Sequence, residues 1–481
     1  MATAVAAALA DVEANKSDAA DLASAVDAFA VVDPISWGYN DLVGSTAQAA
    51  GVTPSVSLTW PPGGNSPGDL LHELAALVHS GAVKVAVLAG CETLYSVRRA
   101  RKENIDLQQQ WTPFQGRRDF LKGQRSMTTP VEARHGLVAP IQCYPLFENA
   151  LRAAAGRTVE EHQHFVGELM SRNSAVAAEN PNAWFPDKYS VDDIIDIAPD
   201  NRWVCFPYPK RMNAIMEVDQ AAAIVVMSQA EADRRGIART HQVRFLGGGS
   251  CQDPWAPAER PDLARSEGIA AAAAEAFRHS GLTIDDIDMI DLYSCFPSAV
   301  QFAMDALGVA AGDPRGVSLT GGLAYAGGPG NSYSLHSMCV AVERIRSGNG
   351  QTALVTSLGM AASKHAVSIF GNNEVAPRAD SLGTKTYLSE SQLHGPPLVD
   401  ETSGDGRIVS YTAEFDRTGA AVKTVYIVDL DAGGRTVGNG PCDGEEIAQM
   451  LTTELVGRRA SVTAGSTSVD GPGTPNQVVL R

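Results

Sequence analysis

One unit spelled twice does most to restrict what this chain can fold into. Residues 63–68 read GGNSPG, a glycine turn that opens a helix. Leu70, Leu71, Leu74, Leu77 and Val78 give that helix an apolar face, Ser80-Gly81 ends it, and VKVAVL over 83–88 follows as a buried strand. Residues 321–334 read GGLAYAGGPGNSYS, again a glycine-rich turn emptying into a helix. Here Leu335, Met338, Val342 and Ile345 form the face, Ser347-Gly348 the end, and TALVTS over 352–357 the strand. Spacing of three and four marks helices, and unbroken apolar runs mark strands covered on both faces. Copies about 270 residues apart are too distant for a solenoid, whose repeats run ~20–50 residues. They predict two similar halves, each an α/β layer.

Other segments fill in the halves. Ser66 suits an N-cap and Pro67 the first helical position. Residues 2–13 read as a helix, 25–32 and 55–60 as strands, and 218–228 as the strand closing a first half of 1–230. The second half, 231–371, opens with a strand at 242–246. A helix at 269–279 and a strand at 287–292 lead into Tyr293-Ser294-Cys295-Phe296, and 366–370 is its last strand. Between the copies, 98–205 reads as a polar, solvated loop insertion. Its basic start (Arg98, Arg99, Arg101, Lys102, Arg117, Arg118, Lys122) offers an alternative, a patch for a phosphorylated ligand. A linker at 372–406 precedes a tail, 407–481. Strands at 407–415, 422–430 and 459–464 and hairpin turns at 416–419 and 431–434 make that tail a small all-β, barrel-like module.

Composition excludes several classes. A net charge of -17 over 481 residues argues against general nucleic-acid binding and against an anionic membrane surface. An anionic ligand at a local patch stays open. A nucleic-acid-binding barrel in the tail is disfavoured, because that segment is more acidic than basic and has few aromatics for stacking. Seven scattered cysteines without CxxC spacing point away from a metal site or disulfide framework and toward a reducing cytoplasm. The first residues are apolar but acidic, unlike a signal peptide, and no run approaches ~18 apolar residues.

Residues 64–68 fit the G-x-S-x-G elbow in letters only. The elbow needs the backbone N–H after its serine, and Pro67 has none. No Walker A sequence or dinucleotide fingerprint is present. What remains is two helix N-termini with glycine approaches. Their free N–H groups and dipoles suit a carbonyl oxygen, a thioester or a thiolate. Tight turns in a doubled fold are the plain alternative.

Five motifs in order carry a resemblance. VKVAVLAGCET at 83–93 is similar to the thiolase strand ending in AGG-x-E-S, and 218–228 to its DGAAA segment. Residues 291–296 stand at the NEAF or HDCF motif, 321–334 at GGAxxxGHPxGASG, and 357–359 at the late Cys-x-Gly. The chain thus resembles the thiolase superfamily over 1–371. The closest branch is thiolase-like protein type 1, whose extra C-terminal β module, OB-like, matches 407–481. The resemblance implies a duplicated five-layered thiolase fold and a CoA thioester ligand with no other cofactor. Acetyl-CoA acetyltransferase-type chemistry in lipid metabolism is the activity implied.

Carried over, the nucleophilic cysteine falls on Gly64, the GHP histidine on Gly328, the NEAF asparagine on Tyr293 and the late cysteine on Ser357. The chemistry therefore fails on residue identity, since losing nucleophile and base costs many orders of magnitude. Two readings follow. In one, a degenerate site binds CoA or acyl-CoA without thiolase activity, as a carrier, sensor or partner subunit; Gly64, Ser66, Ser250, Gly328, Asn331, Ser332 and His336 line it. In the other, an acyltransferase or lyase works with unorthodox residues, with Cys295 paired to His336 or His365 and assisted by Tyr293 and Ser357. The strand before Pro61-Pro62 forms a weakened edge, so a monomer is expected, with a dimer as the alternative. The resemblance also implies a strand ahead of the first helix, in the middle of the first-half sheet. Its lack is expected to reflect a start codon assigned too late or a weakened sheet.

Overall fold

The computed structural model describes residues 1–18, 21–115, 121, 123–375, 384–466 and 473–481. Arg117, Arg118 and Lys122 of the basic stretch, and part of the 372–406 linker, lie outside them. The first half runs α1 (Ala2–Glu13), β1 (Ala28–Val31), α2 (Leu42–Ala50), β2 (Val56–Thr59), α3 (Ser66–His79) and β3 (Val85–Thr93). The insertion holds α4 (Leu94–Glu103), α5 (Pro130–Arg134), α6 (Pro140–Ala154), α7 (Val159–Glu179), α8 (Val191–Ile195), β4 (Trp203–Cys205) and β5 (Tyr208–Pro209). Then β6 (Asp219–Met227) and α9 (Gln229–Arg234) close the half. The second half runs β7 (Arg244–Gln252), α10 (Glu267–Ser280), β8 (Met289–Asp291), α11 (Pro297–Leu307), α12 (Tyr333–Arg346), β9 (Thr352–Gly359) and β10 (Lys364–Gly371).

The two sheets are built to one plan. In the first, β1 pairs parallel with β2 and β3, and β3 pairs antiparallel with β6. In the second, β8 pairs parallel with β9, which pairs antiparallel with β10. So β1, β3 and β6 correspond to β8, β9 and β10. Helices α3 and α12 lie between the sheets and touch both. Strand residues alternate accordingly. Ala28, Ala30 and Val32 face the central layer with Leu70, Leu74, Leu335 and Met338. Phe29 and Val31 face outward to Val5, Leu9 and Val43 of α1 and α2. On the far side Ile269, Ala276, Val300 and Met304 of α10 and α11 cover Leu354 and Ile369. Five layers result, the duplicated arrangement expected from the sequence.

Three expectations need correction. The strand expected ahead of α1 has its twin in β7, which pairs with the outer side of β10. Its place in the first half is therefore the edge beside β6, not the middle. The ladder β2-β1-β3-β6 is internally continuous, and β3 is bonded on both sides. Second, helix α3 starts at Ser66, so Asn65 is the N-cap, and it makes no side-chain cap bond. Third, the 98–205 insertion contains long buried helices. Glu148 of α6 is sealed, with His162 Nε2 and Gln301 Nε2 each 2.5 Å from Oε1 and the Tyr208 hydroxyl 2.6 Å from Oε2. Polar letters that read as solvent-facing are paired inside. Of the basic residues, Arg98 pairs with Glu217 and Arg99 with Glu103.

After β11 (Thr384–Lys385) and α13 (Glu390–Leu393) comes the tail, with β12 (Gly404–Phe415), β13 (Ala421–Leu430), β14 (Arg435–Gly438), α14 (Gly444–Thr452), β15 (Arg459–Thr463) and β16 (Gln477–Leu480). The order is β14-β13-β12-β15-β16, and a bridge from Asn439 to Gln477 brings the two ends of the sheet together at one point. The module is barrel-like and partly open. It is not wholly β, because α14 lies between its third and fourth strands. It is fastened to α6. Arg152, 1% exposed, gives Nε and Nη2 to the Glu454 carboxylate at 3.0 and 2.9 Å and Nη2 to the Tyr411 hydroxyl at 2.8 Å. Replacing Arg152 by Met is expected to cost about 2–4 kcal/mol, because the buried phenol and the half-exposed carboxylate lose their donors. Denaturant unfolding of the full chain checks this.

Candidate functional site

The two glycine turns meet where the halves join. Their serines do the same work. Ser66 Oγ donates to Gly63 O at 2.7 Å, and Ser332 Oγ donates to Pro329 O at 2.8 Å. Both hydroxyls are spent closing turns. Asn331 Nδ2 donates to Asp33 O across the halves. Ser250, on β7, donates to Asp69 Oδ1 at 2.6 Å and stands 3.2 Å from His72 Nδ1. Asp69 also accepts from Asn65 Nδ2 at 2.6 Å and Trp60 Nε1 at 3.1 Å. His72 is neutral, pushed down to about 4 by burial, with Nε2 3.0 Å from Ser368 Oγ.

Gly64 is the decisive position. A β-carbon there would stand well inside contact distance of the Tyr293 hydroxyl and Leu358 O, and 2.7 Å from Tyr293 Cζ. The phenol reaches this corner because Tyr293 follows β8, with its N–H held by Thr356 Oγ1 at 2.8 Å and its ring edge-on to Tyr333. So a side chain at 64 is absent and its space is taken. Gly328 differs. A β-carbon there would meet Ile215 O at 3.2 Å and Leu323 Cδ2 at 3.5 Å, tight but not blocked. Ser357 Oγ is sealed without a partner, facing Gly68 of α3.

Cys295 gains no activation. Burial pushes its thiol up to about 12, against a smaller opposing effect from the Tyr144 hydroxyl. Among the described residues no hydrogen bond joins it to a histidine. His336 Nε2 is sealed and has no partner among the described residues, and burial pushes the ring down to about 4. His365 Nε2 lies 2.8 Å from Asp253 Oδ2 and 3.2 Å from Ser266 Oγ. Burial opposes the charge on Asp253, but Arg260 and the His365 and Ser266 bonds outweigh it and hold the carboxyl at about 2. Next to Tyr293 lies a cavity of about 10 Å³, the room of one water, lined also by Thr356, Leu358, Phe302 and His365. The turn after β9 is held in strain. Met360 and Ala362 have φ of 60° and 53°, anchored by the Tyr144 hydroxyl on Met360 O and Ala362 N.

Sequence reading missed Asn65, Asp69, His72 and Lys364. Lys364 begins β10 and is 4% exposed; Nζ donates to Pro62 O at 2.7 Å and Gln124 Oε1 at 2.8 Å. The one signal was a charged residue heading an apolar strand. Among the described residues no cluster of three or more His, Cys, Asp or Glu side chains is placed to hold a metal, and no helix is long and apolar enough to cross a membrane.

Comparison with known proteins agrees with this architecture. Residues 249–329 match the family model "Thiolase C-terminal domain-like", and 391–467 match "Thiolase-like protein type 1 additional C-terminal domain". The chain is thiolase-like. Within that superfamily it resembles the type 1 branch. A crystal structure of a monomeric SCP2-thiolase like protein type 1 from Mycobacterium smegmatis superposes with a TM-score of 0.80 at 28% identity, covering 100% of this chain and 95% of that one. Human sterol carrier protein 2 is 26% identical over 150 residues, 31% of this chain and 26% of that protein. A probable acetyl-CoA acetyltransferase of Mycolicibacterium smegmatis is 29% identical over 133 residues, 27% of this chain and 31% of that protein. The chain thus spans about a quarter to a third of the length of these curated relatives.

Two tests follow from the geometry. Gly64→Ala is expected to destabilise the fold by about 1–3 kcal/mol through overpacking, with part of the loss recovered in a Gly64→Ala/Tyr293→Ala double variant. The second concerns pH. His72 and His336 take protons at about 4 in the folded state and near 6.5 once unfolded. The unfolded chain binds more protons between these values, so stability falls as pH drops from 6.5 to 4. His72→Met is expected to flatten that slope in pH-dependent urea titrations.

Proposed function

We propose that this chain binds CoA or an acyl-CoA at its paired helix mouths without performing thiolysis, as a monomeric carrier, sensor or partner subunit. One observation carries the reading. The Tyr293 phenol fills the space where a nucleophilic side chain at 64 would stand. Acylation at that position has neither an atom nor room, and with glycine at 328 no histidine stands at the base position.

Support for a CoA-class ligand comes from the mouths themselves and from the company the chain keeps. The α3 and α12 N-termini present positive dipole ends that suit a thioester oxygen. The acetyl-CoA acetyltransferase among its relatives bears that ligand in its name. Burial of Tyr293 raises its hydroxyl well above the ordinary phenol range, so at neutral pH it is a neutral donor rather than a base. A monomer is supported by β2, a short edge strand with alternate residues exposed and Pro61-Pro62 close behind it.

Calorimetry with CoA and a thiolysis assay with acetoacetyl-CoA test the proposal together. Binding is expected, unchanged after alkylation of Cys295, with turnover below ~1 per second. Turnover at or above that rate overturns the non-thiolytic part. Absence of any CoA binding overturns the ligand.

A further inference from the structure

The turn at 62–64 retains one nucleophile with a usable reactive form. Gly64 has none. The Tyr293 phenol and the Cys295 thiol are both pushed upward by burial, the thiol to about 12. The Ser66 hydroxyl donates to Gly63 O and Pro61 O. Ser357 Oγ has no partner among the described residues that could take its proton. Lys364 is different. It enters from the opposite half, and its Nζ and Cε both stand 2.9 Å from where a β-carbon at Gly63 would be. That is one residue from the position at which the nucleophile is missing.

Its surroundings are unusual for an ammonium. Among the described residues Lys364 has no ion pair. Its two recorded partners are a carbonyl oxygen and an amide oxygen, with the Trp255 ring 5.9 Å away. Asp69 on α3 is the charged group that acts on it, and both Asp69 oxygens are engaged by Asn65, Trp60 and Ser250. Burial outweighs Asp69 and brings the amine down to about 8, so about a fifth of it is neutral near physiological pH and about half at pH 8. Asn65 gives an independent sign. Its Oδ1 is sealed and has no donor among the described residues, and it crowds the β-carbon positions of both Gly63 and Gly359 in this same corner. An acceptor there waits for an N–H.

We propose that Lys364 is an acyl acceptor, whose amine takes the acyl group from an acyl-CoA thioester bound at the 62–64 turn. The proposal rests on the CoA reading above. The neutral amine adds its lone pair to the thioester carbonyl, a C–N bond forms and the C–S bond breaks. CoA leaves as the thiolate, and the proton lost from nitrogen ends on that sulfur. No other reactant is needed. The amide keeps one N–H for Pro62 O or Asn65 Oδ1 and removes a cation from a buried site, which favours the acylated form.

The test incubates the full-length protein with acetyl-CoA at pH 8 and follows each lysine by peptide mass spectrometry. Lys364 is expected to be acetylated about tenfold faster than the exposed Lys84, Lys102 and Lys188, because a thioester bound at the turn is held beside it. Its rate should level off above pH 8. Lys364→Arg, checked for folding by circular dichroism, is expected to lose the modified peptide and leave the other lysines unchanged. Acetylation of Lys364 no faster than the exposed lysines overturns the proposal. If calorimetry shows CoA bound in that same sample, the ligand reading survives. If it shows none, both fall.

Discussion

The junction of the two halves depends on how closely the second half approaches the backbone at Gly63-Gly64. The Tyr293 hydroxyl and Leu358 O close on Gly64, and Lys364 closes on Gly63, all from β8, β9 and β10 or the residues beside them. Four positions on the first-half side are bare enough to allow it: these two glycines, Gly68 against Ser357 and Ala366, and Gly90 against the Ser332 β-carbon. Interiors are packed as densely as organic crystals, so atoms cannot be added on one side unless they are removed on the other. The bare position at 64 and the phenol that fills its corner are thus one feature of the packing rather than two.

Polar groups at this junction are arranged by the same closeness. Asp69, His72 and Ser250 form a chain that crosses from α3 to β7, and Ser368 receives the other side of His72. Each is buried, and each uncompensated polar atom at such depth would cost about 1–3 kcal/mol. The chain therefore fixes the rotation of α3 between the sheets. That rotation in turn sets where the 62–64 turn points. A second cluster, Glu148 with His162, Tyr208 and Gln301, locks the insertion onto α11 in the same way. Arg152 then carries the C-terminal module on the back of that insertion.

The doubled plan was legible because helix and strand periods survive in a linear string. Residues 66–79 and 333–346 show their faces at three- and four-residue spacing, and the strands after them are unbroken apolar runs. Helices α6 and α7 were hidden for a physical reason. Glu148, Asn149, Arg152 and His162 look solvated by type, and only the fold shows that each has a partner. The site divided along the same line. The glycines at 64 and 328 were visible by position. The occupant of the space at 64 was not, because Tyr293 lies about 230 residues away and reaches it through a sheet register no local pattern encodes. Lys364 was overlooked since a charge at the head of a strand ordinarily marks the solvent end.

Gly64 and Gly328 also differ in the room around them. At 328 a β-carbon meets only Ile215 O and a leucine methyl at contacts a few tenths of an ångström short, so the space for a larger residue is nearly present. At 64 it is gone, taken by a hydroxyl and a main-chain carbonyl that cannot both retreat without moving β9. A side chain added at 64 would collide with Tyr293, whereas one added at 328 would meet only slight crowding. Substitutions at 64 and 293 touch the same atoms, so their effects must be strongly non-additive, whereas 328 has no recorded contact with either. The two glycines therefore stand in unlike surroundings: the corner at 64 is closed by the second half, and the one at 328 is nearly open.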